Sequence, residues 1–171
     1  PHAPETPLAE ALYQLCQQLF PLHRSLTGHG FRASLAILQQ HLPGLNTVEV
    51  ASGTRCFDWQ VPNEWNVTDA YIIDPAGHKM LDFKVSNLHL MGYSIPIHQT
   101  VSLAELQRHL HSLPDQPDAI PYVTSYYRPD WGFCLTDRAR QQLIAGDYQV
   151  VIDSELKPGS LTYGELIIPG T

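Results

Sequence analysis

Apolar residues recur every three to four positions in two early stretches of the chain. Leu8, Leu12, Leu15 and Leu19 form one stripe, and Phe31, Leu35, Leu38 and Leu42 form a second. That spacing predicts two amphipathic helices. Thr6-Pro7 supplies a cap and a first-turn proline for the first helix, which Phe20-Pro21 ends. Cys16 is expected to lie beside the buried stripe as a small hydrophobe. Thr27 is placed to cap the second helix, and Pro43-Gly44 stops it.

The period then changes. Residues 46–52 alternate, with Val48 and Val50 on one face and Thr47 and Glu49 on the other, which predicts a half-exposed strand. Residues 56–61 read as a strand ended by Pro62. Residues 69–74 and 80–85 read as a hairpin about Asp74-Pro75-Ala76-Gly77, whose Asp, Pro and Gly suit a type I turn. Residues 88–97 read as a further strand bent at Gly92. Ser102-Leu103-Ala104-Glu105 is a capping box, and Leu103, Leu106, Leu110 and Leu113 extend a helix from it to Pro114. Thr136-Asp137 caps a short helix through Ile144. Residues 148–153 and 161–168 are strands separated by a Lys157-Pro158-Gly159 turn. No internal repeat or low-complexity segment interrupts the order.

The stretch 121–136 is the most aromatic of the chain, with Tyr122, Tyr126, Tyr127, Trp131 and Phe133 in sixteen residues. Pro121 and Pro129 prevent one uninterrupted central strand. Two short extended pieces joined at Arg128-Pro129-Asp130 fit either the floor of a small β domain or a stacking surface for a ligand.

With 171 residues, 43% hydrophobic and 16% charged, the chain has ordinary globular composition and room for a core. A formal charge of −7 without a Lys/Arg cluster is a poor match to nucleic acid or to an anionic membrane. No apolar run approaches the roughly 20 residues of a membrane span. No secretion signal is visible, so the Asn66-Val67-Thr68 sequon is read as chance. Three cysteines, Cys16, Cys56 and Cys134, are too few and too scattered for a disulfide framework and fit a reducing cytoplasm. Pro1 in place of Met, and an end at Thr171 directly after an apolar run, read as a piece cut from a longer protein.

Nine histidines raise the question of a metal. His109 and His111 are two apart on an expected helix and so point to different faces. His23, His29, His89 and His98 lack Cys, Asp or Glu neighbours at ligand spacing. HExxH, GxSxG, Walker and GxGxxG motifs are absent. Ser25 beside His23 has no further signature of a nucleophile–base pair. Arg24 precedes the second helix. It either helps that helix N-terminus to hold an anion or pairs with a carboxylate to fix the turn.

Six strings, taken in order, carry a resemblance. They are Phe20-Pro21-Leu22-His23-Arg24-Ser25-Leu26-Thr27-Gly28, then residues 57–66, residues 118–127, Trp131-Gly132-Phe133-Cys134-Leu135, Asp153-Ser154-Glu155-Leu156, and residues 159–165. Together they resemble the N-terminal portion of bacterial aminopeptidase-like proteins, a family of uncertain function related to zinc exopeptidases. The resemblance covers nearly the whole chain. It implies an α+β fold in which two N-terminal helices and a terminal strand pair belong to a truncated α/β exopeptidase-like core, residues 1–52 plus 156–171. Residues 53–155 would be an inserted β-rich domain carrying one or two helices. Strands 46–52 and 161–168 should then pair antiparallel.

The resemblance further implies a peptide or amide hydrolase whose zinc ligands lie downstream of Thr171. This chain would then hold no cofactor and no catalytic residue of its own, and zinc is expected in the full-length parent. Arg24, Tyr126, Tyr127 and Trp131 are the expected contacts to a peptide or small-molecule substrate. The expected partners are the remainder of the polypeptide or, for this piece alone, a second copy met through the strand 161–168. The rival reading is a non-catalytic module that binds sugar or peptide on the stretch 121–136.

Overall fold

The structure, a computed structural model, describes residues 7–170. Its architecture is α+β. Two helices and a two-stranded ribbon stand beside a four-stranded antiparallel sheet covered by irregular chain.

Helix α1 spans Leu8–Leu19 and begins after Pro7. The Thr6 cap expected from the sequence lies outside the described residues. The leucine stripe is present, but α1 has no buried residue, and Leu8 is 76% exposed. Cys16 is exposed as well, contrary to the sequence reading, because no element of the described chain covers that face. Helix α2 spans His29–His41 and buries Ser34 and Leu35. Its N-cap is Gly28, not Thr27. The first free N–H of α2, that of His29, donates to Asn66 Oδ1 at 2.8 Å. The cap is thus supplied from a distant strand, and Thr27 is free for another role.

Strand β1 (Asn46–Ala51) pairs antiparallel with β10 (Ser160–Glu165), from Asn46 opposite Glu165 to Ala51 opposite Ser160. The expected pairing of the two terminal strands is present, although β10 ends at Glu165 and Ile167 and Ile168 lie exposed beyond it. The strand expected at 56–61 is instead a tight hairpin of β2 (Arg55–Cys56) and β3 (Trp59–Gln60). Phe57 turns it with a positive φ of 56°.

Strand β4 (Glu64–Ile73) is longer than the alternation indicated. It is followed by the Asp74 turn, in which Gly77 N donates to Asp74 O and Asp74 Oδ1 accepts from Ala76 N and His78 N. The return strand β5 is only Lys79–Met80. Leu81 adopts a positive φ of 49°, and Asp82 Oδ1 accepts from Lys84 N. The 81–85 segment therefore coils although its apolar residues alternate. The strand expected at 88–97 is likewise irregular, with a 3-10 turn at Asn87–His89 and single bridges from Leu90, Gly92 and Ser94 to the segment 124–133. Regular pairing resumes in β6 (Ile97–Ser102).

The serine half of the expected capping box is present, Ser102 Oγ accepting from Glu105 N in α3 (Leu103–Leu106), while the Glu105 carboxylate turns to Arg108 and His109. The helix stops early because Leu110 and His111 form β7, parallel to β8 (Phe133–Cys134). Thr136 Oγ1 caps α4 (Asp137–Gln141) through Ala139 N, as expected. Strand β9 runs unbroken through Asp147–Lys157, across the 155/156 boundary read from the resemblance. The sheet order is β5-β4-β9-β6. Ala70 and Ile72 of β4, with Tyr148, Val150 and Ile152 of β9, alternate into one buried face. Leu106, Leu110, Trp131, Phe133 and Leu135 close over that face and complete the core.

Candidate functional site

Between α1 and α2 the chain turns at residues 20–22 and then runs without regular structure to a single bridge at Thr27. His23, Ser25 and Thr27 face one groove of about 680 Å³. The opposite wall comes from Trp65, Asn66, Val67 and Thr68 of β4 and from residues 83–87 of the coiled segment. Phe20 and Phe83 make it apolar in places, and Asn66, Lys84, Asn87 and Glu155 line its polar parts. A second cavity of about 350 Å³ adjoins it, sharing Phe20, His23 and Asn87 and adding Arg24, Leu88 and Tyr122.

Glycine is required where the segment meets α2. A Cβ on Gly30 would collide with the carbonyl oxygen of His23, and one on Gly28 with Trp65 O and Asn66 Oδ1. This closeness lets Thr27 reach the interior. Its hydroxyl accepts from Trp65 N at 3.0 Å and meets the Tyr93 phenol oxygen at 2.7 Å. Tyr93 in turn donates to Asn63 O. A second lock lies beside it. Arg32 of α2 forms an ion pair with buried Glu64 of β4, which also accepts from Asn66 Nδ2 and from Ser160 N of β10. The Arg32 hydrogen bond holds the Glu64 carboxyl down to about 2.

His23 is packed edge-on between Trp65 (5.0 Å between centroids) and Phe83 (4.9 Å). Burial lowers its pKa to about 4, so the ring is neutral at pH 7. No described residue hydrogen-bonds either ring nitrogen. Ser25 Oγ is buried and has no hydrogen-bond partner among the described residues. There is accordingly no Ser25–His23 hydrogen bond of the kind a nucleophile–base pair requires.

The four residues singled out as contacts separate into three places. Arg24 is exposed, donates to Leu19 O at the end of α1, and meets no carboxylate among the described residues. The carboxylate pairing expected to fix the turn is therefore not seen among the described residues. Tyr126 and Tyr127 lie together, ring centroids 4.1 Å apart, beside Trp59 and Asn63 in a shallow third depression. Trp131 is not with them. Its ring is only 6% exposed and stacks on His109 at 3.7 Å, inside the core. Sequence reasoning missed His23, whose ring is the first link of an aromatic series continuing through Trp65, Tyr93 and Tyr126 to Tyr127. The first of the six strings, residues 20–28, was the available signal, but which of its side chains line a cavity depends on how the irregular backbone packs against β4.

Zinc is the cofactor the resemblance implies. Among the described residues no three His, Cys, Asp or Glu side chains converge so as to hold a metal ion. His109 meets Glu105 at 3.3 Å through Nε2 and Asp130 at 3.7 Å through Nδ1, on opposite sides of the ring, so the three do not converge on one point. The described donor set does not fit zinc, and no catalytic step is derived through it. No helix among the described residues is long and apolar enough to cross a membrane.

Residues 64–155 match the profile of a family described as "Domain of unknown function (DUF2172)". A protein of Clostridium acetobutylicum, described as "Putative polysaccharide biosynthesis protein with aminopeptidase-like domain", is 52% identical over 159 residues. Those residues are 93% of this chain and 36% of that protein. A crystal structure described as a "putative peptidase" from the same organism matches with a TM-score of 0.84 at 51% identity, over 90% of this chain and 36% of the other. The chain therefore spans 36% of the length of the relatives it matches.

Proposed function

The chain belongs to the DUF2172 family, and from that membership and its likeness to an aminopeptidase-like protein we propose that it is the N-terminal part of a zinc-dependent peptide or amide hydrolase. One observation carries the reading: half-identical relatives, one described as an aminopeptidase-like protein and one as a "putative peptidase", extend well beyond this chain. In this reading zinc and the hydrolytic step belong to residues outside these 171. The chain contributes a substrate-facing wall, and its β-rich middle is an insert carried on the two helices and the β1–β10 ribbon.

The exposed stripe of α1 and the apolar residues after β10 are, in the same reading, covered by the remainder of the polypeptide. Arg24 stands at the second cavity with no acid beside it and is placed to meet an anionic group of the substrate. Exposed Tyr127, backed by half-buried Tyr126, offers a ring face for a more distant part of it. Trp131, buried on His109, supports the segment that carries them.

The test is hydrolysis of aminoacyl p-nitroanilides by the longer reading frame containing this chain, with and without a zinc chelator, beside the 171-residue chain alone. Chelator-sensitive activity confined to the longer protein is expected. Activity in the 171-residue chain, or activity indifferent to chelator, would overturn the reading.

A further inference from the structure

We propose that the groove between residues 23–28 and β4 binds one uncharged residue of a peptide, with its apolar side chain against Phe20 and Phe83 and its amide on His23 and Ser25. The proposal rests on the reading of the chain as part of a peptide hydrolase and names the substrate group this wall takes.

The argument begins with which groups in the groove are already engaged. Thr27 is saturated by Trp65 N and Tyr93. Asn66 accepts from His29 N and donates to Glu64. Asn87 donates to Phe20 O and Pro21 O. Both charged groups on the rim have counterions: Lys84 pairs with Asp69 at 2.7 Å and Glu155 with Lys157 at 2.8 Å. What remains unused is neutral. Ser25 Oγ is buried and unpartnered among the described residues, and the His23 ring beside it makes edge contacts to Trp65 and Phe83 but no hydrogen bond to a described residue. Buried polar atoms are nearly always satisfied, so an unpaired one facing a cavity calls for a partner from outside.

These two groups suit an amide. Ser25 can donate its O–H to a peptide carbonyl, and the acceptor nitrogen of a neutral imidazole can take a peptide N–H. A charged ligand group would find no free counter-charge here, and its desolvation would go uncompensated. The groove volume of about 680 Å³ is ample for one residue and its flanking amides.

The experiment titrates the 171-residue chain with N-acetyl-L-leucinamide while following amide and indole resonances by NMR. Cationic L-leucinamide and maltose are the parallel arms. The acetylated amide is expected to shift resonances of Ser25, Gly28 and the Trp65 indole and to bind more tightly than either alternative. Ser25→Ala and His23→Phe should each weaken it about fivefold or more. Ser25→Ala should also melt no lower than the unmodified protein, since it deletes an unpaired hydroxyl. A purely structural serine would instead lower the melting temperature and leave binding unchanged. Absence of shifts at these residues, equal or tighter binding of maltose or L-leucinamide, or unchanged affinity in both variants would overturn the proposal. The readout is independent of hydrolysis. Binding here with no chelator-sensitive activity in the longer protein would sink the enzymatic reading and leave the site, and the converse result would sink the site alone.

Discussion

The hydroxyl of Thr27 and the phenol oxygen of Tyr93 meet at 2.7 Å in a buried hydrogen bond between residues 66 positions apart. The order of donors is set by the neighbours. Tyr93 gives its proton to Asn63 O, so Thr27 donates to Tyr93 and accepts from Trp65 N. Three separated segments are thereby bound into one relay at the foot of the groove. Replacing Thr27 by Val leaves the Trp65 N–H without its acceptor, and Tyr93→Phe leaves the threonine proton and Asn63 O without theirs. Each change should cost about 1–3 kcal/mol in urea unfolding. The double variant should cost less than the sum, because both delete the same bond. Strict additivity would mean that the relay is not formed.

Gly30 and Gly77 separate two reasons for glycine. Gly30 has no positive φ, but a Cβ there runs into His23 O, so Gly30→Ala must displace the groove segment. Gly77 has open space around it and a φ of +87°. Gly77→Ala should cost about 1–2 kcal/mol through backbone strain alone. Gly30→Ala should cost at least as much and also shift the NMR resonances of His23 and Ser25, which Gly77→Ala should leave in place.

Two groups give stability a stepped dependence on acid. The pKa of His23 is about 4 in the folded chain against 6.5 unfolded, so the unfolded state binds its proton first. Its contribution is complete above about pH 6.5 and declines as pH falls towards 4. Glu64 is held near 2, from an ordinary value near 4.5, by Arg32. Its contribution is present above about pH 4.5 and is lost as pH falls to 2. In unfolding free energies measured against pH, His23→Phe should flatten the upper step and Glu64→Gln the lower one. A His23→Phe profile parallel to that of the unmodified protein between pH 6.5 and 4 would contradict the buried neutral ring.

Trp131 and Tyr127 sit four positions apart in one aromatic stretch yet differ sharply in burial, 6% and 77% exposed. Trp131→Ala empties a core position stacked on His109 and should cost about 3–5 kcal/mol. Tyr127→Ala should stay within about 0.5 kcal/mol. Chemical denaturation of both variants checks this, and equal effects would mean the stretch is not divided as described.

The features legible beforehand share a property: each is decided by residues a few positions apart. The caps at Ser102 and Thr136 need one hydroxyl and an N–H three residues on. The leucine stripe of α1 and the alternation of β1 are periods along one element. The pairing of β1 with β10 was reached differently, through the resemblance carried by six ordered strings. Where the reading failed, a distant contact outweighed the local pattern. The helix begun at Ser102 stops because Leu110 and His111 are drawn into pairing with Phe133 and Cys134. The 81–85 segment alternates like a strand, yet the turn at Leu81 and the Asp82–Lys84 hydrogen bond remove it from the sheet.

By itself, then, the sequence determined the class of the fold, the main helices and strands, and its likeness to aminopeptidase-like proteins. Only the tertiary structure decided that His23 and Ser25 face one groove, that Trp131 is core, and that Thr27 binds a tyrosine instead of capping its own helix. The reason is physical. Helix caps and amphipathic periods are settled by interactions within one or two turns of chain. Whether a side chain ends in a cavity, a core or a hydrogen-bond relay is settled by partners that sequence distance does not reveal.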